Sequence, residues 1–342
     1  MRGKIKALGF LLLIVFAVAS VWAEGKKEEG MAYPERSINM IVGFPAGGPT
    51  DVIARGIVPV LQEEMGVGIG INNMPGASSG TAADFVLKQP ADGYTLFMGS
   101  EALSVLQTMD IMDIHPYNDF TCVKLVAEAY PVLAVPPDSQ FESAEEFVQY
   151  AIDNPGELRV GTAGPATVPH VSGLILQKNL GAEFTFVPFK GGTPAITAVM
   201  GGQVDATIEM IQSMIGPYRG GKLNILASFT NEPIPGLANE IPPIGTLIPE
   251  LQSDLPYGPY FGLFVKKGTP QEIIDYLVAK MDVAVKSEHW IEYSYNRYMP
   301  RIDYEGQPAY DYLVDWTAKA AWLLWDTGAG INNPADIGIP RP

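Results

Sequence analysis

The sequence predicts an α/β protein made of two similar lobes, and three observations carry that expectation. Strand and helix patterns alternate along most of the chain, as sheets covered by helices require. The opening runs strand, helix, strand, helix, strand, from "SINMIVGF" to "YTLFMG". One unit, a strand with a glycine-rich loop and a helix, stands at 39–65 and returns at 158–180.

The elements follow in order. After "SINMIVGF", residues Val52, Ile53, Gly56, Ile57, Val60 and Leu61 recur at helical spacing. Pro59 lies inside that helix and is expected to kink it. "VGIGIN" is a strand, "MPGASSG" a loop, "TAADFVLKQ" a helix and "YTLFMG" a strand. This opening predicts a parallel sheet with helices on its faces. "YPVLAV" is the next strand. Ser143 with Glu146 three residues on forms a capping box for "SAEEFVQYAIDN". "ELRVGTA", "FTFVPF", "VDATIE", "LNILASF" and "YFGLFVKK" read as strands, and "VPHVSGLILQKNL" as a helix. Thr193 and Pro194 are expected to start one helix, and Thr269 and Pro270 another that runs to about Lys286. Gly306 to Asp326 is amphipathic helix, with Trp316, Trp322 and Trp325 expected to pack on the sheet.

The first residues stand apart from this pattern. "MRGKIK" is basic, an apolar run follows, and Val21 and Ala23 are small residues at a cleavage position. Residues 1–23 therefore read as a secretory signal peptide, the alternative being a retained membrane anchor. Residues 24–32, "EGKKEEG" and its flanks, read as a solvated tether. No later stretch is apolar enough to span a bilayer, so the mature protein is expected to be soluble and extracytoplasmic.

Formal net charge is −16, and loss of Arg2, Lys4 and Lys6 with the signal makes the mature chain more acidic still. That excludes nucleic acid and anionic lipid as expected partners. Cys122 is the only cysteine, so no internal disulfide can form. His115, His170 and His289 are widely separated, and neither a metal nor another cofactor is expected.

Four loops qualify as ligand loops: 45–51, 74–80, 99–102 and 161–170. All follow strands, all are rich in Gly, Ala, Ser and Thr, and all lead into helices. Ligands of open α/β sheets sit beyond the carboxyl ends of the strands. Helix N-termini there offer free N–H groups and partial positive charge, so an acidic protein can still hold a carboxylate. No P-loop or dinucleotide fingerprint is present. Gly76 to Gly80 does match G-x-S-x-G, the nucleophile elbow of secreted hydrolases, but the strand does not run directly into the first glycine: Asn72, Asn73, Met74 and Pro75 intervene.

At these loops the chain resembles the substrate-binding proteins of tripartite tricarboxylate transporters, the Bug-type receptors. The resemblance is carried by "YPERSINMIVGFPAGGPTDVIAR", "NNMPGASSGTAADFV", "PADGYTLFMGS", "FVPFKGGTPAITAVMGGQVDAT", "GGKLNILASF" and "YFGLFVKKGTPQEIID", in order over roughly 33–290. It implies a two-lobed periplasmic-binding-protein fold of the Venus-flytrap, type II-like kind. Lobe 1 would be 33–131 plus 229–342 and lobe 2 would be 132–228. It also implies a monomer that captures a small carboxylate, of the di- or tricarboxylate or related organic-acid class, for membrane permease subunits, without catalysis. Matching motifs put Phe44, Ala46, Gly47, Gly48, Thr50 and Asp51 on one side of the site, with Ser78, Ser100 and Glu101 near them. Thr162, Gly164, Ala166, Thr167 and His170 would form the other side, with Lys190 and Asp205 close by. The chain departs from the family at Pro49, Pro169 and Glu101. A carboxylate at Glu101 would repel an anion or accept a donor group of the ligand. A secreted serine hydrolase using Ser78 and a sensor feeding a signalling protein remain the other readings.

Overall fold

The computed structural model describes residues 33–255 and 257–342. The signal peptide and tether expected at 1–32 lie outside the described residues. Two mixed sheets form, each with helices packed on it.

In the first sheet, β1 (Ile38–Val42) lies between β2 (Ile69–Asn73) and β3 (Thr95–Ser100), and all three are parallel. The expected parallel opening is therefore present. Beyond β3 the sheet turns antiparallel through β10 (Tyr260–Lys266), β4 (Phe120–Glu128) and β11 (Arg301–Tyr304). In the second sheet, β6 (Arg159–Thr162) lies parallel between β7 (Thr185–Pro188) and β8 (Ala206–Met210). Next to β8, β5 (Pro131–Val135) runs antiparallel, with β9 (Asn224–Ser228) beyond it. The orders β2-β1-β3-β10-β4 and β7-β6-β8-β5-β9 thus match strand for strand. The repeated unit noticed in the sequence is β1 and its helix in one lobe, and β6 and its helix in the other.

The reason is burial. Strands β3, β5 and β8 are covered on both faces, apart from Thr95, and are almost continuously apolar or small. Each sheet has its own core. Ile41, Phe97, Phe120 and Phe264 fill the first. Val132, Ile196, Val199 and Ile225 fill the second.

The helices that matter here are α1 (Pro49–Met65), α4 (Val168–Leu180) and α5 (Gly192–Met200), with α2 (Gly80–Leu87) and α3 (Ala144–Asp153) between the first two in sequence. Helix α1 runs unbroken through Pro59. The capping box holds: the Glu146 amide donates to Ser143 Oγ at 3.2 Å. Helix α5 starts one residue before Thr193, with Gly191 as its N-cap, so the expected Thr193 cap is corrected. The long helix Gln271–Lys286 likewise takes Pro270, not Thr269, as its N-cap. Helix Gly306–Asp326 forms over its expected span. Trp316 packs against the first core and donates to the Gly258 carbonyl at 3.0 Å. Trp322 packs beside Ala318 and Ala321. Trp325 is exposed.

Candidate ligand-binding site

The helices α1, α4 and α5 all begin at the same crevice between the lobes. Pro49 and Thr50 of α1, Thr167 and Pro169 of α4, and Gly192 of α5 line it. None of the three helices has a side-chain N-cap bond. The positive ends of three helix dipoles therefore face the crevice, although Pro49 and Pro169 bring no N–H and the Val168 amide is bonded to Glu101. Phe44 and Phe261 form apolar walls. The remaining cavity is about 30 Å³, on the scale of one water molecule.

Two carboxyls face this space. Glu101 follows β3 and is 5% exposed; Glu209 lies on β8 and is 1% exposed. Burial pushes the Glu101 pKa up to about 7, against the smaller pull of the Ser100 hydroxyl and of amides that include Val168 at the start of α4. Burial, with the Glu101 charge adding to it, pushes Glu209 up to about 8. Glu209 Oε2 accepts only the Met210 amide at 3.3 Å, while buried Oε1 has no partner. No ion pair among the described residues includes either glutamate.

The first loop is built around Asp51, which is 1% exposed. Its carboxylate accepts the Gly47 amide at 2.8 Å, Arg55 Nε at 2.8 Å and Asn73 Nδ2 at 3.0 Å. Burial would raise its pKa, but these bonds, Arg55 foremost, hold it below the usual carboxylate value. The Gly48 amide donates to the Pro45 carbonyl at 3.2 Å. The amides of Gly47 and Gly48, two residues expected in the site, are thus spent inside the loop. The next amides along the chain are those of Thr50 and Asp51, in the first turn of α1.

Three hydroxyls tie the lobes together. Ser78 Oγ donates to the Pro165 carbonyl at 2.9 Å, Thr193 Oγ1 to the Ala46 carbonyl at 3.2 Å, and Ser213 Oγ to the Gly47 carbonyl at 3.4 Å. Ser78 sits in a run of left-handed residues, with φ of 49° at Ala77, 47° at Ser78 and 73° at Ser79. That backbone is costly for residues with a Cβ, and it aims the Ser78 hydroxyl across the crevice.

Of the residues expected from sequence, Phe44, Thr50, Ser100, Glu101 and Thr167 line the crevice. Ala46, Gly47 and Ser78 lie at its rim through the cross-lobe bonds. Asp51 acts behind the wall. Gly164, with φ of 129°, takes the Thr167 hydroxyl on its carbonyl and shapes the loop. Ala166, with φ of 58°, donates its amide to His170 Nδ1 at 3.0 Å. His170 is therefore a loop brace; burial lowers its pKa to about 4, so it is neutral. Thr162 is buried at the end of β6 and does not line the crevice. Lys190 is exposed. Asp205 is at the far end of its strand, where it pairs with Arg159 at 3.1 Å, so it is not a crevice residue. Its place before β8 makes that unavoidable, because the crevice lies at the carboxyl end. The main residue missed was Glu209. Its signal was present as a lone carboxylate within the apolar run "ATIEM".

Two lobes, each a sheet with helices on it, meeting at converging helix N-termini, define a periplasmic-binding-protein fold. The model of the tripartite tricarboxylate transporter family receptor matches residues 53–327, and the chain belongs to that family. It is 29% identical to protein BugT of Bordetella pertussis (strain Tohama I) over 301 residues, covering 87% of this chain and 91% of that one. Among solved structures it is similar to R. palustris Rpa4515 with adipate, at 27% identity and TM-score 0.80, covering 86% and 98% of the two chains. It is also similar to MatC from Rhodopseudomonas palustris with bound malate, at 26% identity and TM-score 0.76, covering 85% and 100%. The family is one of receptors, not enzymes. Consistent with that, the Ser78 hydroxyl is bonded to a carbonyl and His170 Nδ1 to an amide.

Proposed function

We propose that this protein is an extracytoplasmic receptor that captures a small organic acid between its lobes and hands it to the permease subunits of a tripartite transporter. The observation that carries this is the meeting of three uncapped helix N-termini at one crevice. They supply carboxylate donors without any cationic side chain. Two similar structures hold dicarboxylates, adipate and malate, which supports the same ligand class here. The basic, apolar and small-residue start of the chain supports export.

In this reading the lobes are 33–131 with 229–342, and 132–228. The chain crosses between the sheets after Glu128 and again between Ser228 and Tyr260, which supports hinges there. The protein works as a monomer. Ligand binding closes the lobes, and the Ser78, Thr193 and Ser213 bonds hold the closed state that a permease would recognise.

The test is thermal unfolding of refolded, ligand-free protein against mono-, di- and tricarboxylates, aromatic acids and amino acids. A ligand of the native state raises the midpoint. A carboxylate that does so, without being turned over, supports the receptor. Ester turnover lost in Ser78→Ala, with no carboxylate binding, would replace it with a hydrolase.

A further inference from the structure

The crevice carries acceptors as well as donors, and this narrows the ligand. Among the described residues no lysine or arginine lines it, yet two glutamates do, one from each lobe. Glu209 Oε1 is buried and has no partner among the described residues, and at the wall of a crevice a ligand group can supply one. Glu209 is held in place by the start of α5: a Cβ on Gly192 would stand 2.6 Å from its Oε2. Glu101 is held beside Ser100 and the start of α4. A plain dicarboxylate would add two negative charges to this pair. An ammonium would instead bring three donors, one of them to Glu209 Oε1, the acceptor that lacks one, at charge-assisted strength.

We infer that the cleft takes an amine-bearing organic acid, its ammonium between Glu101 and Glu209 and its carboxylate at the uncapped helix N-termini. This rests on the receptor reading above and specifies its ligand. The two halves of such a zwitterion match the two chemistries of the wall. The arrangement also disfavours the simple acid of the same shape, because that acid offers Glu209 Oε1 no donor.

The experiment is calorimetric titration of refolded, ligand-free protein with acids paired by one amino group. The pairs are succinate and aspartate, glutarate and glutamate, butyrate and 4-aminobutyrate, and 3-phenylpropionate and phenylalanine. In at least one pair the amino member is expected to bind tenfold or more tightly than its partner. Glu209→Gln and Glu101→Gln should each cut that ratio at least tenfold and leave the plain acid equal or stronger. In the wild type the ratio should shrink as pH falls from 8 to 5, a readout that needs no variant to fold. A plain acid that binds as tightly as its amino partner, or a ratio indifferent to both variants and to pH, overturns this inference and leaves the carboxylate receptor standing. Binding of neither member in any pair, nor of any other carboxylate, overturns both.

Discussion

Glu101 and Glu209 reach one crevice from matching strands of the two lobes, and neither meets a cation among the described residues. Strand β3 precedes Glu101 and strand β8 holds Glu209, and each is the strand between the middle strand of its parallel trio, β1 or β6, and the first antiparallel neighbour. A fold with two like halves brings like positions face to face. Here that places two carboxyls where an isolated buried carboxylate is expensive.

This pairing makes stability depend on pH with a definite sign. Both carboxyls have folded values, about 7 and about 8, above the ordinary 4.5. Their contribution is complete below pH 4.5 and is lost as pH rises through 7 to 8. The phenols of Tyr257 and Tyr260, which the Glu101 charge also reaches, stay neutral throughout that window. His170 acts oppositely and only lower down: held neutral, it costs stability as pH falls below 6.5. Between pH 6.5 and 9 the unfolding free energy of ligand-free protein should therefore fall by ~3 kcal/mol. Denaturant titrations across that range check it, and Glu209→Gln should flatten the slope.

Asp51 organises the first loop, and its removal should be felt well beyond that loop. Asp51→Ala leaves the Gly47 amide, Arg55 and Asn73 without their shared acceptor. A loss of ~2 kcal/mol is expected, since the Gly47 amide and Asn73 lose an acceptor while half-exposed Arg55 stays solvated. Ligand affinity should fall with it, since the loop carries the start of α1. Equilibrium unfolding and calorimetry together separate the two effects, and no change in either would remove Asp51 from its assigned role.

The cross-lobe hydroxyls act on closure rather than on folding. Ser78→Ala and Thr193→Val should each weaken ligand binding by ~1 kcal/mol, about fivefold, mostly through faster dissociation. Unfolding midpoints of ligand-free protein should move little. Stopped-flow dissociation rates check this, and unchanged rates in the double variant would show that these bonds do not hold the closed state.

Gly192 sets the position of the Glu209 carboxyl. A methyl at Gly192→Ala would meet that carboxyl at 2.6 to 2.8 Å and push it along the crevice. The backbone itself has no such clash, so the fold should persist. Ligand affinity is expected to fall about tenfold, ~1.4 kcal/mol, with the circular-dichroism spectrum unchanged.

Much of this was readable from sequence because it is written in local patterns. Hydrophobic period and turn residues located β1, β2, β3, β5 to β10 and most of the long helices. The return of strand, glycine loop and helix announced the second lobe. The elements that escaped are those whose identity depends on partners. Strand β4 was missed because Lys124 interrupts its apolar run; in the folded chain that lysine is 1% exposed and pairs with Asp282, Asp303 and Glu305. Strand β11 is short and largely exposed, and exists through its pairing with β4.

By itself the sequence determined the α/β class, the two-lobe repeat, the family and the loops from which a site is made. Those are properties of nearest neighbours along the chain, where spacing and side-chain type are enough. Only the tertiary structure decided what the loops do. It closed Asp51 onto the Gly47 amide, turned His170 into a brace, sent Asp205 to the far end of its sheet and brought Glu209 opposite Glu101. Each is a contact with another element or a choice of strand end. Side-chain periodicity says which face of a strand is buried, but not what waits on the other side of the crevice.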